Sequence, residues 1–78
     1  MNYWNYRVIR MQRDNEIYFM IAEVYYDDRN CPVGWVKCNE NTLVFEEYEN
    51  LKGTINLLSE AFVKPILMVE GDKLVELK

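Results

Sequence analysis

Arg7 and Glu23 are the two residues of this chain whose chemistry pairs most readily. Placed across neighbouring strands, they make a catalytic pair, a recognition fork for a polar ligand or a structural cross-strand contact, and the last is the commonest use of such a pair. The other reactive groups support little catalysis. The sequence has no histidine, which removes Ser–His and Cys–His nucleophile pairs, histidine bases and most catalytic zinc sites. Cys31 and Cys38 are the only cysteines and stand seven positions apart. Two thiols are too few for a structural zinc site, and the spacing is not Cys-x-x-Cys, so they read as reduced structural thiols. Asp27, Asp28, Glu40, Glu46 and Glu47 are oxygen donors of the kind that bind divalent cations. Their places, a polar turn and a helix start, suit a solvated surface better. Gly34, Gly53 and Gly71 are isolated, so no glycine-rich phosphate loop exists. The expectation is a protein that is not an enzyme, with no cofactor and no metal.

Composition narrows the partner class. Half of the 78 residues are apolar and the formal net charge is −4. The chain is therefore a folded domain with a small core, for which oligomerisation is a natural aid. Lysine and arginine are scattered, and no basic patch marks a nucleic-acid binder. Tyr3, Trp4, Tyr6, Tyr25, Tyr26 and Trp35 could stack bases, but in an acidic chain they suit core packing and a protein interface. No apolar run approaches the roughly 20 residues of a membrane span. Met1-Asn2-Tyr3-Trp4 lacks the features of a signal peptide. A single cytoplasmic domain over residues 1–78 is expected.

The elements that must position these groups follow from periodicity. Residues 3–12 alternate and predict a strand, followed by a polar turn at Arg13-Asp14-Asn15-Glu16. Ile17 to Tyr26 is a strand apolar on both faces. After a turn at Asp27–Pro32, Val33–Cys38 is a short third strand. From about Glu46 to Val63 the period becomes helical, with Val44, Tyr48, Leu51, Ile55, Leu58 and Phe62 in one stripe. Burying Leu51, Ile55, Leu58 and Phe62 would contribute roughly 1.5–3 kcal/mol each. Gly53 costs the helix about 1 kcal/mol relative to Ala, and close approach to the sheet would explain it. Pro65 ends the helix. The tail reads either as strand, turn and strand from Ile66 to Leu77, or as one extra strand with a frayed end. The fold class predicted is α+β: a three- or four-stranded antiparallel sheet with one helix packed on one face.

Register decides which residues share a face. A two-residue turn at Asp14-Asn15 sets Arg7 opposite Ala22, whereas a three-residue loop sets it opposite Glu23. The second pairs opposite charges and is the preferred reading. One face then carries Trp4, Tyr6, Val8, Met20, Ala22 and Val24, with the small Ala22 leaving room for the helix. The other carries Arg7, Ile9, Phe19, Ile21, Glu23 and Tyr25, joined by Trp35, and needs a cover.

At Trp4-Asn5-Tyr6-Arg7-Val8-Ile9, Glu23-Val24-Tyr25-Tyr26-Asp27, Pro32-Val33-Gly34-Trp35, and then Leu57, Ala61 and Lys64-Pro65-Ile66-Leu67, the chain resembles a group of small uncharacterised bacterial proteins. Where that group carries Gly-Glu-Thr before the helix, this chain has Val44-Phe45-Glu46. The resemblance implies a fold more than an activity. The order strand-strand-strand-helix is also similar in topology to HicB-type antitoxins, which bind a small toxin.

The function expected is that of a small protein-interaction module. Its partner-binding residues would be Arg7, Phe19, Ile21, Glu23, Tyr25 and Trp35, and its partner a protein or a second copy. The alternatives are an antitoxin-like regulator and an acidic inhibitor, from a phage or mobile element, of a host nucleic-acid-binding defence complex.

Overall fold

The computed structural model describes residues 3–77, with Glu40 by its backbone alone. Strands β1 (Tyr3–Arg13), β2 (Glu16–Tyr26) and β3 (Pro32–Lys37) precede helix α1 (Tyr48–Glu60), and β4 (Leu67–Glu70) and β5 (Lys73–Glu76) follow it. Short 3₁₀ turns at Glu40–Leu43 and Ala61–Val63 flank the helix. The α+β class is as expected, and the tail supplies two strands. The sheet differs from the expectation in two ways. It has five strands in the order β3-β2-β1-β4-β5, and β4 runs parallel to β1. A parallel neighbour needs a crossover, and the chain between β1 and β4 supplies one that contains the helix.

The β1–β2 turn is the two-residue one. Arg13 pairs with Glu16 around Asp14-Asn15, and Arg7 stands opposite Ala22 rather than Glu23. Asp14 takes a positive φ of 55°, which Asp tolerates better than most residues. That conformation permits the tight turn, and its geometry overrides the charge pairing on which the longer loop rested. A one-residue slip exchanges every side chain of β2 between faces. Arg7 and Ile9 consequently share a face with Met20, Ala22, Val24 and Tyr26, not with Phe19 and Glu23.

The sheet curls until its edge strands β3 and β5 touch. The concave side is the core: Ile9, Ala22, Val24, Tyr26, Leu67 and Leu74 are buried, with Met11, Met20, Trp35 and Val69 packed around them. Each large apolar side chain there contributes roughly 1.5–3 kcal/mol. Of the residues expected to need an outside cover, Ile9 and Trp35 thus meet the core that the tail completes through Leu67 and Leu74, whereas Phe19, Ile21, Glu23 and Tyr25 lie on the other side of the sheet. The β4–β5 turn uses Gly71 at φ 67°, the left-handed region that glycine enters without penalty.

The helix is less embedded than its stripe suggests. No residue of α1 is buried, and the helical segment meets the sheet chiefly along β1. Leu51 and Leu58 are half-buried, whereas Ile55, Tyr48 and Phe62 are exposed. Its tightest contact is Ala61, fully buried in the 3₁₀ turn. Ala22 lies in the concave core and is not the seat of the helix. Nor does Gly53 permit a close approach: a Cβ there would meet nothing within 4 Å.

Candidate protein-interaction surface

The six residues expected to bind a partner divide between the two faces. Arg7 and Trp35 belong to the concave side. Arg7 is only 8% exposed. Its Nη1 donates to the Tyr26 hydroxyl at 2.9 Å and its Nη2 to the Pro65 carbonyl at 2.7 Å. The Tyr26 hydroxyl donates in turn to Asn5 Oδ1 at 2.8 Å, and the Tyr3 and Tyr26 rings stack with centroids 4.6 Å apart. The Arg7 Nε is buried without a hydrogen-bond partner among the described residues. Arg7 therefore ties β1 to β2 and to the start of the tail. Trp35 stands opposite Val24 and packs against the core.

Phe19, Ile21, Glu23 and Tyr25 lie together on the convex face, because alternate residues of a strand share a face. The Tyr25 hydroxyl donates to Glu23 Oε1 at 3.3 Å. Desolvation and this neighbouring carboxylate hold the Tyr25 hydroxyl above its usual titration range. Opposite Glu23 stands Tyr6, which burial and then the negative charges of Cys38 and Glu23 push in the same direction. Burial raises the Cys38 thiol, the Thr42 hydrogen bond lowers it and Glu23 raises it, with a net upward shift. Cys31 is exposed. Among the described residues no three acidic or sulfur side chains converge on a common point; the Glu40 side chain lies outside them.

What the convex face offers is apolar area. Ile17 is 51% exposed, Phe19 58% and Val36 52%. The helical layer adds Leu57, Phe62 and Val63, the last two 70% and 81% exposed. Val8, Phe19, Ile21 and Phe62 line one shallow notch of about 160 Å³, so β2 and the helix end meet there in a single patch. Exposed apolar surface that is continuous across two elements marks binding sites more than scattered residues do. A second notch of about 370 Å³ lies where Tyr3, Trp4 and Tyr6 face Leu57, Glu60 and Lys64. Trp4 and Tyr6 meet edge to face there, with centroids 5.1 Å apart.

Val36, Leu57, Phe62 and Val63 were not among the expected binding residues. A signal for the helical ones is present in the sequence. Leu57-Leu58 and Phe62-Val63 are consecutive apolar pairs, and residues one apart on a helix point about 100° away from each other. Both members cannot face the sheet.

No helix among the described residues is long and apolar enough to cross a membrane. Comparison with protein-family models, with curated proteins and with solved structures finds no match to this chain.

Proposed function

We propose that this protein is a non-catalytic protein-interaction module that receives its partner on the convex face. The observation that carries this reading is the notch shared by Phe19 and Phe62. Two large exposed aromatic side chains, one from the sheet and one from the helix end, flank a depression floored by the buried Val8 and the half-buried Ile21. Aromatic anchors beside a small pocket are the usual energetic centre of a protein interface. The Glu23–Tyr25 pair at the side supplies a polar rim. The roles expected of Phe19, Ile21, Glu23 and Tyr25 fit this surface. Arg7 and Trp35 are assigned to the core, and Phe62 takes a place among the anchors.

The test is affinity capture from the source cell with the full chain and with Phe62→Asp. Phe62 is exposed and outside the core, so the fold should survive the change. A protein retained by the parent chain and lost with Phe62→Asp supports the reading. Equal retention by both overturns it, as does saturable turnover of any substrate abolished by Glu23→Gln.

A further inference from the structure

β2 is an eleven-residue strand, but β3 pairs with it only from Ala22 to Tyr26. The last contact on that side is the Cys38 N–H donating to the Ile21 carbonyl at 3.3 Å. From Glu16 to Met20, β2 has β1 on one side and no strand among the described residues on the other. Which backbone groups face the opening follows from the ladder. In a two-residue hairpin the closing pair, Arg13 and Glu16, is hydrogen-bonded, and bonded pairs then recur at every second residue. Glu16, Tyr18 and Met20 therefore turn their N–H and C=O toward β1. Ile17 and Phe19 turn theirs outward, in phase with the Ile21 carbonyl that Cys38 uses. Natural edges are blunted by lysine, proline or a bulge. Glu16–Met20 has none of these, and both outward residues are exposed.

We infer that this edge pairs antiparallel with the same edge of a second copy of the chain, about a two-fold axis at Tyr18. Outward groups must meet outward groups, and this axis sets Ile17 of each copy opposite Phe19 of the other. Two bonded pairs result, with four backbone hydrogen bonds. The convex face gains two aliphatic–aromatic cross-strand pairs of the kind that stabilise sheets, and Tyr18 meets Tyr18 on the concave face.

Charge selects a second copy over an unrelated extended segment. In this register Glu16 of one copy lies opposite Met20 of the other, one residue beyond the place where Cys38 leaves the sheet. Lys37 stands opposite Ala22, on the same face as Met20 and one side-chain position further along. Glu16 of one copy and Lys37 of the other thus approach at each end of the junction, two opposite-charge pairs placed by the symmetry alone. The contact is isologous and closes as a dimer, joining two five-stranded sheets into one. It extends beyond the reading of the convex face, because it rests on the backbone of β2 and on two charges outside the Phe19–Phe62 notch.

Sedimentation velocity of the full chain over a concentration series tests it. The expected mass rises from 9.4 kDa toward twice that value. Ile17→Pro deletes an outward N–H in each copy while leaving the β1 ladder intact, so two of the four hydrogen bonds are lost and the dimer should weaken about a hundredfold, roughly 1.4 kcal/mol for each bond, with an unchanged circular dichroism spectrum. Should that variant fail to fold, the charge pair decides. Glu16→Lys alone should weaken association several-fold, and adding Lys37→Glu should restore it. A mass of 9.4 kDa at every concentration, or a dimer that Glu16→Lys leaves unchanged, overturns the proposal. Neither result bears on partner capture through Phe62.

Discussion

The Arg7 guanidinium donates to the Tyr26 hydroxyl at 2.9 Å within the concave core, at a site where its facing residue across the strand pair is Ala22. A buried cation here is held by a phenol and a backbone carbonyl, both neutral. Such a group specifies geometry more than it stabilises, since desolvation of the charge offsets much of what its hydrogen bonds contribute. Replacing the cation and deleting its partner should therefore have different effects. Arg7→Met, apolar and of similar length, should change stability by less than about 1 kcal/mol. Tyr26→Phe leaves Nη1 without its acceptor, with the Pro65 carbonyl still bound to Nη2, and should cost about 1–3 kcal/mol. Urea unfolding of the two variants measures both; a larger loss for Arg7→Met would refute the argument.

The helix stripe and the tail should exchange the importance that periodicity alone gives them. Leu67 is buried beside Ile9, and Leu67→Ala should cost about 2–5 kcal/mol. Phe62→Ala should stay within about 0.5 kcal/mol, as for an exposed side chain. Thermal melts of the two variants distinguish these outcomes.

Gly53 offers a gain. It sits inside α1, and a methyl group added there would meet no atom within 4 Å beyond its chain neighbours and the helix's own backbone. Gly53→Ala should therefore stabilise by about 0.5–1 kcal/mol. For a domain of this size that is a rise in Tm of about 2–8 °C. No rise would mean that helix propensity does not limit stability at this position.

Alkaline stability should depend on the Tyr6–Glu23–Cys38 cluster. The three shifted groups among the described residues, Tyr6, Tyr25 and Cys38, are all raised in the folded chain. Each is neutral when protonated, so folding favours the protonated form. Their contribution is fully present below the unfolded-state pKa and is lost as pH rises through the folded one. Stability should begin to fall near pH 9, where an ordinary thiol ionises, and Cys38→Ala should move that onset upward. Chemical denaturation at a series of pH values records the shift, and an unchanged onset would remove Cys38 from the account.

Strand and helix locations were legible because they rest on local periodicity. The alternation of residues 3–12, the apolar run to Tyr26 and the stop at Pro65 all correspond to element boundaries within a few residues. Faces were not legible, because they hang on one turn. The choice between two and three loop residues at Asp14-Asn15 depends on a backbone conformation, and an attractive Arg7–Glu23 pair argued for the other answer. The parallel β1–β4 pairing joins residues 58 apart, Ile9 and Leu67, and nothing local signals it. That pairing also explains the surplus apolar face of β2: the tail closes the concave side, and the convex side keeps Ile17 and Phe19 in the open.

The same pairing imposes an order in time on synthesis. The β1–β2 hairpin can form as soon as its residues are made, since its contacts are local. Ile9 finds Leu67 and Leu74 only after the tail has been translated. Until then a nascent chain carries an apolar hairpin with one open edge and an unfilled concavity, and non-local closure of this kind is slow. The incomplete chain accordingly exposes apolar surface around Ile9 that the finished domain buries.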